Sequence, residues 1–227
     1  MKRSLNCSYR LVWSEVQRAF IVVSELTRAK GKRASGAVLL TAAVGSALAS
    51  GGAFAFTPDV TSSVQDEQVL NGTQQVLVGG TTTNHTIGAQ GNQIVAGGLA
   101  QQTTLTDGGV QIVRQQGVAT GTTINNGQQV IEKDGKAQRT VILNGGVQSL
   151  DGTAVHTVVG NGGEQHVLNS GTATTTLINS GGTQAVDGMA NFTVVNDGGH
   201  QIVGGFAHYT TVNNGGVSVC QRTRRIL

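Results

Sequence analysis

The chain restarts the same stretch of about eighteen residues again and again, and this period constrains the fold more than anything else in the sequence. Glutamines recur at Gln75, Gln93, Gln111, Gln129, Gln148, Gln165, Gln184 and Gln201, with gaps of 18, 18, 18, 19, 17, 19 and 17. A second register, Ala-x-x-Thr-x-aliphatic, runs between them. It reads Ala100/Thr103/Leu105, Ala119/Thr122/Ile124, Ala137/Thr140/Ile142, Ala154/Thr157/Val159, Ala173/Thr176/Ile178, Ala190/Thr193/Val195 and Ala207/Thr210/Val212. A fixed period of this length implies stacked supersecondary units, none able to bury its apolar face alone.

Both registers alternate with period two, are rich in β-branched residues, and are bounded by Gly, Asn and Asp. Glycine every few residues penalises helix. Two or three short strands per repeat therefore make one coil of a β-solenoid, with about eight coils rising roughly 4.8 Å each to a rod of about 38 Å. The position two after each glutamine is Leu77, Val95, Val113, Ile131, Leu150, Val167, Val186 and Val203, always aliphatic, so it points inward. Period two then turns the glutamine inward as well. Identical side chains of stacked coils sit above one another, so the eight glutamines are expected to form a buried ladder bonded amide to amide. The threonine and the aliphatic two residues after it enter the core by the same logic, and alanine is small where a corner crowds it. Asn125-Asn126-Gly127, Asn144-Gly145 and Asn213-Asn214-Gly215 suit tight turns that need positive φ.

Charge is unevenly spread. Residues 1–33 carry eight Lys/Arg against two acids, whereas residues 56–219 carry four against ten, a net charge of −6. A mildly acidic array without basic clusters disfavours nucleic acid. After the basic run Lys30-Gly31-Lys32-Arg33, residues 34–49 are small and apolar, and too few to span a bilayer. That is the pattern of a helical export signal, with cleavage expected after Ala55 and Ala49 as the competitor. Cys7 and Cys220 lie outside the intact repeats, so removal of the leader leaves no internal disulfide. The expected organisation is an extended signal peptide at 1–55, a repeat solenoid at 56–219 and a basic non-repeat tail at 220–227, of the kind a frameshift or premature stop leaves.

Two resemblances follow from particular residues. Tyr9-Arg10, Trp13-Ser14 and Val23-Ser24-Glu25-Leu26-Thr27-Arg28 resemble the extended signal peptide of type V secretion proteins. The array Gly-Gly-x-Gln-x-Val with Ala-x-x-Thr-x-Val, as at Gly181-Gly182-Thr183-Gln184-Ala185-Val186, resembles the passenger of AIDA-type autotransporter adhesins, the group that includes antigen 43. The second resemblance implies a right-handed parallel β-helix at the cell surface or outer membrane, acting in adhesion, autoaggregation and biofilm growth. It also implies a C-terminal translocator barrel, whose strand pattern this sequence does not show. The implied partners are the Sec export machinery, other passenger molecules, and a host-cell surface glycan or protein. For this chain as written, periplasmic or secreted locations are the expectation.

No cofactor, metal, nucleic acid or small-molecule substrate is expected. Cys-x-x-Cys, His-Glu-x-x-His and Gly-x-Ser-x-Gly are all missing from the sequence. His85, His156, His166, His200 and His208 fall at different phases of the repeat, as scattered surface decoration would. A β-helix polysaccharide-active enzyme needs charged residues gathered in a walled groove, and these corners are short and uniform. Ice binding through threonine arrays fails because the threonine column faces inward. A non-functional periplasmic remnant is the other alternative. The sharper expectation is an outward apolar stripe, Val141, Val158, Leu177 and Val194, offered as a self-association surface. A second outward stripe is read at Val76, Ile94, Ile112 and Val130.

Overall fold

The computed structural model describes residues 59–221, together with two strands, Tyr9–Ser14 and Ala19–Ser24. Those two strands pair antiparallel, from Tyr9 opposite Ser24 to Ser14 opposite Ala19. Residues 1–50 and 51–227 form separate compact units. The helical signal expected at 34–49, the cleavage positions Ala49 and Ala55, and the tail beyond Gln221 lie outside the described residues.

Residues 59–221 wind into an all-β parallel solenoid of about nine turns, one more than the repeat count predicts. The extra turn lies upstream of the first glutamine. Val60 pairs with Val76, Ser63–Gln65 with Thr81–Thr83, and Gln68–Val69 with Thr86–Ile87. Each turn has three short strands. In a representative one, Gln128–Ile131 carries the glutamine, a turn at 132–135 follows, and Lys136–Leu143 bends at Arg139 into an alanine-bearing arm and a threonine-bearing arm. Every rung matches its neighbours in register: Gln129 faces Gln111 and Gln148, Ala137 faces Ala119 and Ala154, and Ile142 faces Ile124 and Val159. Alanine therefore sits within a strand and not in a crowded corner. It packs against the aliphatic column two after the glutamine, and its small volume lets the two arms approach.

The core has two apolar columns. One joins Val76, Val95, Val113, Ile131, Leu150, Val167 and Val186 to the alanines. The other stacks Val69, Ile87, Leu105, Ile124, Ile142, Val159, Ile178 and Val195. Between them runs a polar seam of glutamine and threonine, buried throughout. In the rungs of Gln93, Gln111, Gln129, Gln165 and Gln184 the amide uses its full capacity. Gln129 Nε2 donates to Gln111 Oε1 at 2.6 Å and to Thr122 Oγ1 at 3.1 Å. Its Oε1 accepts from Gln148 Nε2 at 2.7 Å and from Thr140 Oγ1 at 3.5 Å. Two donors and two acceptor sites are all an amide possesses, so burial leaves nothing unpaired. The threonine completes the rung: Thr122 donates to Gln111 Oε1 at 3.3 Å and accepts from Gln129.

The ladder begins at Gln74, which corrects the expectation of Gln75. Gln74 is buried and Gln75 half-buried, and Val76, expected in an outward stripe, is inside in place of Leu77. The local sequence Gln74-Gln75-Val76-Leu77 fits glutamine-x-aliphatic in either register. A bulge decides between them. Strand Gln68–Val76 pairs with Thr86–Ala96 as Val69 to Ile87 and then as Asn71 to Gln90, so the later strand holds one extra residue and Gln74 comes opposite Gln93.

The double glycine serves the stack directly. Gly181 has φ 74°, and a Cβ on Gly182 would sit 2.5 Å from the Val159 carbonyl oxygen of the preceding turn. Any side chain at Gly182 would force adjacent turns apart and break the seam.

At the far end Ser218 takes the place of the next glutamine. Its hydroxyl donates to Gln201 Oε1 at 2.8 Å, but Thr210 Oγ1 is left buried without a partner. Ser218→Gln is therefore expected to raise the denaturant midpoint, because it supplies the missing second donor. Gln129→Ala, which orphans groups on two neighbouring rungs and leaves a cavity, is expected to cost about 3 kcal/mol. Equilibrium urea unfolding of both variants checks the pair.

Candidate functional site

With the seam inside, what remains for contact is the outer surface. The expected stripe is continuous: Val141 lies beside Val158, Val158 beside Leu177, and Leu177 beside Val194. Each is half-buried and alternates with the buried column of Ile142, Val159, Ile178 and Val195. The second stripe keeps Ile94, Ile112 and Val130 in register without Val76. It continues polar, through Ser149 and His166.

The corner between the alanine and threonine arms shows a regularity the repeat reading overlooked. Asp66, Asn84, Gln102, Gly121, Arg139, His156, Thr175, Phe192 and Tyr209 occupy it on successive turns, all with φ between 53° and 72°. Left-handed backbone suits Gly, Asn and Asp, and costs a bulky residue about 1–2 kcal/mol. Phe192 and Tyr209 accept this conformation on adjacent turns. Their rings stack with centroids 4.9 Å apart and planes 7° from parallel. Stacking of this kind contributes about 0.5–1.5 kcal/mol and offsets part of the strain. Seven of the nine directly precede a threonine of the repeat, whereas Asp66 and Asn84 precede Glu67 and His85.

Charge is also localised. Within the described solenoid all four cations, Arg114, Lys133, Lys136 and Arg139, fall in 26 consecutive residues. Lys133 and Lys136 line a polar groove of about 630 Å³ with Asp134, Asp151 and Ser170, whose hydroxyl donates to the Asp151 carboxylate. The groove juxtaposes charge of both signs. Among the described residues no group of three or more His, Cys, Asp or Glu is arranged to hold a metal ion. His156, His166, His200 and His208 stand at separate phases of the outer surface.

His85 departs from the expectation of surface decoration. It occupies the threonine column and is buried. Its Nδ1 lies 3.2 Å from Gln74 Oε1, which also accepts from Gln93 Nε2 at 2.9 Å. Nδ1 therefore carries the proton and donates. Nε2 is buried with no hydrogen-bond partner. Glu67 closes this end of the ladder by accepting from Gln74 Nε2 at 3.0 Å. Burial holds the imidazole below its ordinary value of 6.5 and outweighs the opposing pull of the Glu67 and Asp66 carboxylates.

The sign of the pH effect follows from linkage. The native imidazole has the lower pKa, so as pH falls below 6.5 the unfolded chain takes up the proton first and stability drops. His85→Thr, which puts the column's usual residue there, is expected to flatten this dependence. Thermal melting of both proteins between pH 7.5 and about 5 measures it, and equal slopes would refute the assignment.

Residues 6–54 match the family described as extended signal peptide of type V secretion system. Residues 89–146 match the adhesin of bacterial autotransporter system, probable stalk. The solved structure of a TibC-catalysed hyper-glycosylated TibA fragment aligns with a TM-score of 0.64 at 32% identity, covering 73% of this chain and 71% of that one.

Proposed function

The chain belongs to the AIDA-type autotransporter adhesins, and from that premise we propose that its solenoid makes adhesive contact through columns of side chains on its outer faces and catalyses no reaction. It is an exported surface-adhesin passenger whose leader and stalk direct it to the cell envelope or surface. We place the leader at 1–55, a boundary supported by the signal-peptide match ending at residue 54, and the passenger at 56–219. Export uses the Sec machinery, and the partners are further copies of the passenger or a host-surface glycan or protein.

One observation carries the self-association part of this reading: the parallel register of Val141, Val158, Leu177 and Val194. A stack positions the same residue of successive turns about 4.8 Å apart, so four outward aliphatics become a continuous apolar strip. A second copy can lay the same strip against it, which is the self-complementary contact a two-fold pair requires. Placing Lys at the centre of the strip, in Val158→Lys with Leu177→Lys, is expected to abolish settling of cells that display the chain. Settling that matches the unaltered protein would remove the strip from the account. Fractionation with an antibody against the repeat, applied to intact cells, tests surface display, and signal confined to the periplasm would limit the adhesin role to longer relatives.

The TibA fragment is hyper-glycosylated, and outward hydroxyls on one arm and its corner, Thr172, Thr174 and Thr175, are our candidates for carrying sugar here. Intact mass of the exported chain, before and after Thr→Ala at the three positions, is expected to show monosaccharide-sized increments that disappear.

A further inference from the structure

The described solenoid has three aromatic side chains, Phe192, Phe206 and Tyr209, and all lie within 18 residues on the outside of two adjacent turns. Their exposure is 54%, 66% and 76%, high for side chains with so much apolar surface. Phe206 and His208 project from one short strand, and Met189 and Asn191 lie directly beside them on the turn below. Phe192 and Tyr209 stack at the adjoining corner. The result is an apolar platform of Met189, Phe192, Phe206 and Tyr209, with the Asn191 amide and His208 imidazole set among its members.

Stability does not account for this platform. The corner tolerates Asn and Gly without strain, as Asn84 and Gly121 show, yet here it holds two rings in left-handed backbone. Stacking compensates Phe192 and Tyr209 for part of that strain but leaves them open to solvent, and Phe206 is outside the stack. Exposed apolar clusters rimmed by hydrogen-bonding groups mark binding surfaces. The charge around them narrows the ligand. Among the described residues from 140 to 221 there is no Lys or Arg, while Asp187 and Asp197 are close in sequence, so no described side chain there supplies a cation to an acidic sugar.

Resting on the adhesin reading, we propose that this platform is a subsite for an uncharged saccharide. A pyranose lays its C–H face on Phe206 or on the Tyr209 face that Phe192 does not cover, and its hydroxyls bond to Asn191 and His208. The site is separate from the aliphatic strip of Val141 to Val194, which runs along the threonine arm.

The test is affinity electrophoresis of the full chain in native gels containing hydroxyethyl cellulose, galactomannan or, as the anionic comparison, alginate. Retardation by at least one neutral polymer is expected, weakened about tenfold in Phe192→Asn with Tyr209→Asn. Asparagine suits the corner, so this variant keeps the fold, and thermal melting confirms that it does. Equal retardation of both proteins, retardation by alginate alone, or none by either neutral polymer overturns the proposal. So does sedimentation showing that the substitutions only dissociate a dimer, which would make the platform an interface between copies. Cell settling separates the two readings: if displayed chain still settles cells while polymer binding ignores the substitutions, the saccharide subsite falls and the adhesin stands.

Discussion

Everything in this solenoid hangs on a hydrogen-bonded seam of glutamine and threonine that no single turn can complete. Each glutamine amide is buried, and half of its bonds belong to the turn before and half to its own threonine and the turn after. Leaving one such group unpaired costs about 1–3 kcal/mol, comparable to what burying an aliphatic side chain contributes. The seam thus sets register more strictly than the apolar columns can. Aliphatics tolerate sliding, whereas a slip of one residue puts the amide on the wrong face. This explains why bulges and corner adjustments absorb the one-residue variations in repeat length while the amides stay aligned.

A seam of this kind also divides the molecule into constrained and free positions. Inward sites accept glutamine, threonine, alanine or an aliphatic. The alternate sites face outward and vary from Lys136 through Thr153 and Thr172 to Met189 and Phe206 along a single column. Each outward column is a straight line of substituents at regular spacing. Adhesive specificity can change there without touching what holds the rod together, so a binding surface on this scaffold is a matter of which columns are decorated and over how many turns.

How much was readable beforehand follows from the same division. Gln93 to Gln201, the threonine column and the alternation of the outer stripe were legible because strict internal bonding makes them periodic. Gln74 was not, since two glutamines precede two aliphatics there and the deciding bulge lies near Gly88 and Ala89, in a different strand. His85 was misplaced because it breaks the column's residue type while keeping its position, and only the bonded neighbours Gln74 and Glu67 reveal it. The aromatic corner was overlooked for the opposite reason. Its nine residues share a backbone conformation and no side-chain chemistry, so nothing in composition groups Asp66 with Tyr209.

The two ends of the seam meet different chemistry. At the start, Glu67 accepts the last free amide proton and His85 substitutes for a threonine, so the polar column is closed by a carboxylate and an imidazole. At the other end Ser218 satisfies Gln201 but not Thr210, and the aliphatics Val212, Val217 and Val219 are exposed. In a stack whose stability is a sum over neighbouring turns, a rung with an unpaired buried hydroxyl contributes less than one whose bonds are complete. Phe192, Phe206 and Tyr209 sit at this weaker end. A contact that covered them would add surface burial where internal coupling is lowest, so binding there would stiffen the last turns of the rod as well as hold a partner. Adhesion and local stability are then linked through the same residues, beside the one rung whose polar seam is incomplete.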